Sequence, residues 1–181
     1  ASLLFNLCVI AAMSEKASNA SAELTVNEVR VSTPDGALYV KRWQPQGVQK
    51  VSEVPVVLMH DSLGSVALWR DFPQQLAAAT GREVIAYDRL GFGQSDANPH
   101  VLQPSFVENE VQTGFAPIHK ALGLNDFVML GHSVGGGMAC MVAAAYPQQC
   151  KALITESAQS FVEERTLEGI RAARDNFAQP G

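Results

Sequence analysis

A serine stands between glycines at the end of an apolar run, in the stretch MLGHSVGGGMA. Gly131, Ser133 and Gly135 have the spacing Gly-x-Ser-x-Gly. A serine hydroxyl becomes a nucleophile for acyl transfer when a neighbouring base takes its proton. Glycines two positions before and after it fit a tight strand-to-helix turn, since a Cβ there would clash. The pattern predicts Ser133 as a nucleophile held clear of the backbone.

The residue after the serine has a predicted role through its backbone. A helix signal begins directly after Ser133, so the N–H of Val134 lies at a helix N-terminus and has no partner within the helix. Such an N–H can donate to an oxygen that becomes negatively charged during acyl transfer. We therefore expect Val134 to supply one donor of an oxyanion hole.

Strand and helix signals alternate along the chain around this motif. Two alternating segments flank the turn sequence TPDG and predict an opening β-hairpin. The later strands are continuous apolar runs, which is typical of strands covered on both faces. The predicted elements are a hairpin over 23–45, strands over 54–60, 83–88, 126–132 and 151–157, and helices over 71–81, 107–122, 135–147 and 162–178.

This order favours an α/β fold with a mostly parallel sheet, an opening hairpin and helices on both faces. Asp71 is predicted to cap the first helix and Gly81 to end it. The helix over 107–122 contains Gly114 and Pro117, which predict a break or kink. Ligands of such sheets bind beyond the carboxyl ends of the strands, where Ser133 is placed.

Three motifs in this order resemble the α/β-hydrolase superfamily: HDSLGS at 60–65, DRLGFGQSD at 88–96 and GHSVGG at 131–136. The resemblance extends from Val31 to about Glu164. It implies that the backbone N–H of Ser62 is the second oxyanion donor, opposite Val134. It also implies that His60 and Gly64 shape the loop that carries Ser62, whereas Gly131 and Gly135 shape the turn at the serine.

Two positions depart from the family pattern. Asp61 stands where the family usually has glycine, and Leu90 is inserted in the usual Arg-Gly step. A carboxylate aimed at an oxyanion hole would oppose the developing negative charge, so we expect Asp61 to point away. Serine rather than aspartate at 133 argues against the epoxide-hydrolase and dehalogenase branches.

The family places its acid and its histidine after the nucleophile, but no histidine follows Ser133 in this sequence. His132 is excluded as the base because neighbouring side chains on a strand point to opposite faces. His60 is expected to brace the oxyanion loop, and His119 to lie at the surface of a helix. His100 alone is expected near the catalytic edge.

Glu156, at the end of the strand ALITE, is the candidate acid. The competing interpretation is a strand-end carboxylate that complements a helix dipole. The absence of a later histidine predicts that the chain is an N-terminal portion of the fold. Such a chain would have little or no turnover, because a serine without its base retains only a small part of triad catalysis.

Three regions are expected along the chain. Residues 1–23 are predicted to be a disordered leader or upstream sequence, because the apolar start is too short to span a bilayer and a polar segment follows. Residues 24–160 are predicted to form the N-terminal part of an α/β-hydrolase core. Residues 161–181 are predicted to begin a cap region.

Composition narrows the function further. The net charge of −5 gives no reason to expect nucleic acid, and the 47% hydrophobic content is ordinary for a globular chain. The three cysteines form no disulfide framework and have no metal-ligand spacing, so we expect no metal, no cofactor and a cytoplasmic location. Partners are predicted to be a small-molecule substrate, without stable membrane insertion. The oligomeric state is left open.

The sequence thus predicts a serine hydrolase that acts on an ester or related acyl bond through an acyl-enzyme at Ser133. The alternative is a catalytically incomplete fragment or a non-catalytic small-molecule-binding module of the same fold. Two other interpretations have less support. Gly131 and Gly135 could serve packing alone, and GFGQSD could bind phosphate, although it lacks the glycine spacing and the lysine of a phosphate loop.

Overall fold

The computed structural model describes residues 23–46, 52–158 and 164–177, which contain one six-stranded sheet with helices around it. The strands are β1 (Glu23–Thr33), β2 (Gly36–Gln46), β3 (Val56–Met59), β4 (Val84–Tyr87), β5 (Phe127–His132) and β6 (Cys150–Glu156). The helices are α1 (Phe72–Thr80), α2 (Phe106–Glu110), α3 (Ala116–Leu122), α4 (Val134–Ala145) and α5 (Glu164–Phe177).

The strands lie in the order β1-β2-β4-β3-β5-β6. β1 pairs with β2, and β2 with β4, in antiparallel fashion, while β4, β3, β5 and β6 are parallel. The prediction of a mostly parallel sheet with an opening hairpin is confirmed. Because the four parallel strands run the same way, the loops after β3, β4 and β5 meet at one edge of the sheet.

Helices cover both faces of this sheet, as predicted. Ile85 and Tyr87 of β4 belong to a core that also contains residues of α3 and α4. Val84 and Ala86, which alternate with them, belong to a second core that contains Ala77 of α1. Alternating side chains of a strand point to opposite faces, so the two cores lie on opposite sides of the sheet.

The ends of α1 agree with the sequence in one respect and differ in another. Gly81 ends the helix in the left-handed conformation, with φ of 63°, as glycine allows. Asp71 precedes the helix, but its side chain makes no capping hydrogen bond, so its predicted capping role is wrong. Its carboxylate instead accepts a long hydrogen bond of 3.4 Å from the Gln75 side chain.

The helix predicted over 107–122 is interrupted by a π-helical turn at Val111–Phe115, between α2 and α3. Pro117 follows this turn and has no N–H to continue the helical hydrogen bonds, which accounts for the irregularity. A Cβ at Gly114 would lie 1.7 Å from Oε1 of Glu110. The glycine therefore makes room for a buried glutamate side chain.

The helix α4, after Ser133, is buried on one side. Met138, Ala139 and Val142 of α4 are fully buried, whereas Cys140 is exposed. β6 is an edge strand within the described sheet, and its Leu153 and Ile154 are 41% and 48% exposed.

The predicted leader over 1–23 falls almost wholly outside the described residues, and β1 begins at its last position. α5 lies inside the predicted cap region and is amphipathic in sequence, with Ile170 exposed. A search of the described residues finds no helix with the length and apolar character needed to cross a bilayer.

Candidate active site

Ser133 occupies a sharp turn between β5 and α4 at the carboxyl edge of the sheet. Its φ of 55° and ψ of −122° are rare for a residue with a side chain and cost roughly 1–3 kcal/mol. Two backbone hydrogen bonds of 2.9 Å hold the turn: the Ser133 N–H donates to Glu156, and the Gly136 N–H donates to the Ser133 carbonyl. Strain of this kind is typical of functional positions.

The two flanking glycines are required by close backbone contacts. A Cβ at Gly131 would lie 2.1 Å from the carbonyl oxygen of Gly135. A Cβ at Gly135 would lie 2.2 Å from the carbonyl oxygen of Met59, at the end of β3. The glycines therefore let the turn close on itself and let α4 approach the neighbouring strand.

The Ser133 side chain is half-buried at this turn. Its hydroxyl takes part in none of the hydrogen bonds formed within the described ranges 23–46, 52–158 and 164–177. No histidine nitrogen there contacts it as a general base would.

The loop after β3 lies directly beside the turn, because Met59 is paired with Gly131 across the two parallel strands. This loop carries Ser62, which is exposed. In the part of the chain that the structure describes, neither the Ser62 N–H nor the Val134 N–H donates to a protein acceptor. Both predicted oxyanion donors are therefore free of intramolecular partners.

His60 supports this loop through hydrogen bonds and is 3% exposed. Its Nε2 accepts the Arg89 backbone N–H at 3.2 Å, so Nδ1 carries the proton and donates to the Asp61 carbonyl at 2.8 Å. Burial, and next the charge of Arg89, lower the pKa of His60 to about 4. A neutral imidazole with both nitrogens engaged fits the bracing role expected from the sequence.

Asp61, the departure from the family pattern, turns its carboxylate towards Gly64 and His132. A Cβ at Gly64 would lie 2.3 Å from Asp61 Oδ1, so this glycine leaves room for the carboxylate. Oδ1 is buried without a hydrogen-bond partner, and Oδ2 lies 3.9 Å from His132 Nδ1.

Glu156 and Asp61 lie on either side of the His132 ring. His132 Nε2 is 3.1 Å from Glu156 Oε2, across the pairing of β5 with β6. This contact was not predicted from the sequence, although the register of two adjacent parallel strands brings their last residues together. Glu156 thus contacts the histidine beside Ser133, and no other histidine of the described ranges contacts it.

The remaining histidines lie away from Ser133. His100 pairs with Asp35 at 3.0 Å beside the first hairpin, rather than at the turn. His119 was expected at the surface, but it is half-buried among Phe115, Phe127 and Tyr146, with Nε2 buried and unpartnered. The prediction for His119 is wrong because the helical face that carries it packs on β5.

The loop after β4 is fixed by Asp88, which is buried. Its carboxylate accepts the Val66 N–H at 2.6 Å and the Gln94 N–H at 2.7 Å, so it joins this loop to the loop after β3. Ser95 donates to the Asp88 carbonyl, and Asp96 accepts the Ala37 N–H at 2.8 Å. Ser95 and Asp96 therefore have a structural role, because they join this loop to β2.

Arg89 is a functional candidate for which no role was predicted from the sequence. It is 5% exposed, and its Nη2 donates to the carbonyl of Asp61 at 2.6 Å and to that of Ser62 at 3.3 Å. Its guanidinium also lies 4.4 Å from the centre of the Phe92 ring. Its position directly after Asp88 in the motif was the available signal.

The described side chains offer no metal centre, since no three His, Cys, Asp or Glu residues among them converge as ligands. A small cavity of about 60 Å³ lies beside the turn, between Trp69, Leu68 and His132. A second cavity among the described residues, of about 520 Å³, lies elsewhere, at Arg89 and Glu110.

The chain is similar to two kinds of curated protein over part of its length. It is 33% identical over 116 residues to 1-acylglycerol-3-phosphate O-acyltransferase ABHD5 of Sus scrofa, which is 64% of this chain and 33% of that protein. It is 32% identical over 100 residues to a (lyso)-N-acylphosphatidylethanolamine lipase of Bos taurus, which is 55% of this chain and 29% of that protein. The chain spans about a third of the length of these relatives.

The fold is also found among solved structures. A carboxylesterase structure from Nitrososphaera gargenis superposes with a TM-score of 0.65 at 22% identity, over 81% of this chain and 52% of that one. The profile of the α/β hydrolase fold matches residues 54–179, which include all three motifs. The chain therefore belongs to the α/β-hydrolase fold family.

Proposed function

We propose that this chain carries the nucleophile and oxyanion hole of a serine hydrolase that cleaves an ester or a related acyl bond. The observation that carries this proposal is the strained turn at Ser133, with φ of 55° at the carboxyl edge of the sheet. A conformation this costly is maintained where it positions a functional group. Membership of the hydrolase-fold family supports the same conclusion.

In the proposed reaction, the Ser133 oxygen attacks the acyl carbonyl carbon while a base takes the hydroxyl proton. The carbonyl oxygen becomes an oxyanion and accepts hydrogen bonds from the Ser62 and Val134 N–H groups. The bond to the leaving group then breaks, and the leaving group takes the proton. Water then attacks the acyl carbon while the base takes its proton. The bond to the Ser133 oxygen breaks, the serine regains a proton, and the acid is released.

The proposed oxyanion hole depends on a rigid loop after β3. Arg89 holds the carbonyls of Asp61 and Ser62, which turns the backbone of this loop in a defined direction. His60 Nδ1 donates to the same Asp61 carbonyl at 2.8 Å. We infer that His60 and Arg89 are positioning residues for the Ser62 N–H.

The described residues contain no histidine placed to act as the general base for Ser133. All four histidines have other contacts: His60, His100, His119 and His132. Glu156 is kept as the candidate acid only as a prediction, since the histidine it contacts is His132. We therefore expect slow turnover from these 181 residues alone. A triad serine without its base keeps mainly the contribution of the oxyanion hole and of substrate binding.

The proposed substrate class is an acyl ester. The name of one relative refers to transfer of an acyl group, and the name of another to a lipase that acts on N-acylated phosphatidylethanolamine. Both names concern acyl chemistry on lipids. We carry over the acyl ester as a class and no particular acyl chain.

A second candidate, a non-catalytic small-molecule-binding module, is favoured by one observation. The Ser133 hydroxyl has no histidine partner within the described ranges, although its backbone is strained as in an enzyme. A module of this kind would bind an acyl compound at the same turn without cleaving it. Reactivity of Ser133 separates the two candidates.

The compartment and the region after β6 are proposed with the function. Cys140 and Cys150 are free thiols, which is in keeping with a reducing compartment, and we propose the cytoplasm. We also propose that α5 begins a cap over the site, because its exposed Ile170 would be covered by such a domain.

A fluorophosphonate probe tests the proposed nucleophile, since it phosphonylates activated serines. We expect the probe to label Ser133 slowly, with the site mapped by peptide mass spectrometry, and Ser133→Ala to abolish labelling. Ser32→Ala, at an exposed position of β1, is the matched control and should label like the parent. Labelling at the same rate in Ser133→Ala would refute the proposal. Complete resistance of the folded parent would favour the binding module.

A further inference from the structure

The larger cavity of the described residues lies between the loop after β4 and the helix α2. Its volume is about 520 Å³, within the usual range of small-molecule sites of about 300–1,000 Å³. Its walls include Leu38, Leu90, Phe92 and Phe106, and its floor includes Arg89 and Glu110. It shares no lining residue with the small cavity beside Ser133.

Arg89 places a buried positive charge at the floor of this cavity. The residue is 5% exposed, and among the described residues no carboxylate oxygen lies within 4.0 Å of its side-chain nitrogens. Its Nη2 is engaged by the Asp61 and Ser62 carbonyls, whereas Nη1 makes no hydrogen bond in the described part. A buried guanidinium stays charged and is costly without an anion, and no described carboxylate pairs with this one.

Glu110 also lines the cavity, yet it is a poor counter-ion for Arg89. It is 8% exposed, and its Oε1 accepts the Tyr87 hydroxyl at 2.8 Å. Burial raises the pKa of Glu110 to about 7, although the Tyr87 hydrogen bond and the Arg89 charge oppose this rise. Below that pH the carboxyl is mostly protonated and can donate a hydrogen bond from its other oxygen.

From the buried guanidinium of Arg89, the buried side chain of Glu110 and the apolar walls, we infer that this cavity binds a small carboxylic acid anion with an apolar tail. The carboxylate pairs with Arg89 and accepts a hydrogen bond from Glu110, while the tail packs on Leu90, Phe92 and Phe106. A single negative charge fits better than a phosphate dianion, because Glu110 repels further charge once it ionises. Binding does not require Ser133 to react, so the inference stands apart from the proposed hydrolase activity.

Octanoate, with the neutral octanamide as its matched control, tests this inference by isothermal titration calorimetry on the 181-residue chain. We expect octanoate to bind at least tenfold more tightly than octanamide, since hydrogen bonds between charged partners are stronger than those that a neutral amide makes. Octyl phosphate should bind more weakly than octanoate. Equal affinity for octanoate and octanamide, or no binding of octanoate by the folded chain, would overturn the inference.

Two surface variants distinguish this cavity from the turn at Ser133. Leu102 lines the cavity and is 54% exposed, so Leu102→Glu adds a repelling charge at the mouth without disturbing the core. Leu63, which is 84% exposed beside the oxyanion loop, offers the matched control Leu63→Glu. We expect Leu102→Glu alone to weaken octanoate binding, and Ser133→Ala to leave it unchanged. The reverse pattern would place the ligand at the turn and refute the inference.

The pH dependence provides a second readout. The groups that face Glu110 are Tyr87 from β4 and Arg89 from the next loop, while Asp35 and His100 form an ion pair at the cavity wall. Octanoate should bind more weakly at pH 8.5 than at pH 6, as Glu110 ionises. Glu110→Gln should remove most of this change, whereas His100→Asn should leave most of it. Retention of the full change in Glu110→Gln would contradict the assigned role of Glu110.

Discussion

Single residues decide whether the turn at Ser133 can form. Gly135 lets α4 approach the end of β3, where a Cβ would lie 2.2 Å from the Met59 carbonyl oxygen and 2.5 Å from that of His60. Backbone atoms cannot move as a flexible side chain can. A methyl group at this position must therefore push the helix and the strand apart, and with them the two proposed oxyanion donors.

We expect Gly135→Ala to destabilise the fold by at least about 1–3 kcal/mol, as overpacked core positions do, and to abolish probe labelling of Ser133. Chemical denaturation measures the free energy of unfolding. Gly169→Ala is the matched control, because a Cβ there meets nothing within 4 Å on the helix α5. That control should be neutral or slightly stabilising. Equal stability of Gly135→Ala and the parent would contradict the close contact.

His60 gives a second prediction at this scale. Its pKa falls from an ordinary value of 6.5 to about 4 in the fold, because burial disfavours the charged ring. The unfolded chain therefore binds the proton more readily between these two values. The resulting stabilisation is complete above pH 6.5 and is lost as the pH falls towards 4, by up to about 3 kcal/mol.

Urea denaturation between pH 4.5 and 7.5 measures this loss, and His60→Gln should flatten it while lowering stability at neutral pH. An unchanged pH slope in His60→Gln would show that the ring is not buried in its neutral form.

At the residue scale, the sequence predicted which residues form the turn better than it predicted the contacts that site residues make. Gly-x-Ser-x-Gly predicted the turn, because the pattern reflects a local steric need around Ser133. The contacts of the two His132 ring nitrogens with Asp61 and Glu156 were not predicted, because they depend on the register of β5 with β3 and β6. The role of Arg89 was not predicted, although it follows Asp88 in the second motif, because the carbonyl oxygens that it binds leave no pattern in a sequence.

Secondary-structure elements position the loops that meet at the carboxyl edge. The segment α2, its π-helical turn and α3 supply the buried Glu110, which packs over Gly114 and meets Tyr87 of β4. Sequence periodicity predicted a helix with a break here. It could not predict a buried carboxyl, because the polar residue occupies a position in the helix that tertiary packing alone encloses.

Glu110→Gln should make the protein more stable at high pH. The folded pKa of about 7 lies above the ordinary 4.5, so the stability associated with this group is present below pH 4.5 and is lost as the pH rises through 7. Glutamine is neutral throughout and still accepts the Tyr87 hydroxyl. We expect a relative gain on the order of 1–3 kcal/mol at pH 8.5 compared with pH 5, by urea denaturation.

Glu108→Gln, on the same helix but exposed, should show no such pH-dependent gain. If the two variants behave alike, Glu110 is not the buried group that the structure indicates.

At the scale of the whole molecule, β6 is the edge of the described sheet with apolar side chains on both faces. Leu153 and Ile154 are adjacent, so they point to opposite faces, and both are more than 40% exposed. An exposed apolar edge strand is a template for pairing with another chain. The sequence showed this strand as apolar, but its edge position follows only from the sheet order.

We therefore expect the 181-residue chain to self-associate as its concentration rises, and Ile154→Lys to reduce this association by placing a charge on the edge. Sedimentation velocity over a concentration series measures it. Leu63→Lys, at an exposed position outside β6, should associate like the parent. Monomeric behaviour of the parent at every concentration would contradict the role of the edge.

The measurement that tests the central claim most directly is peptide mass spectrometry of the chain after exposure to p-nitrophenyl acetate, with and without added imidazole. A serine in an oxyanion hole but without its base should take up an acetyl group, and the acyl-enzyme should persist because deacylation needs the same base. We predict acetylation of Ser133 that imidazole accelerates and Ser133→Ala abolishes. An unmodified Ser133 in the folded chain without imidazole, together with p-nitrophenol release in the presence of imidazole that only matches Ser133→Ala, would contradict the account of Ser133 as a nucleophile.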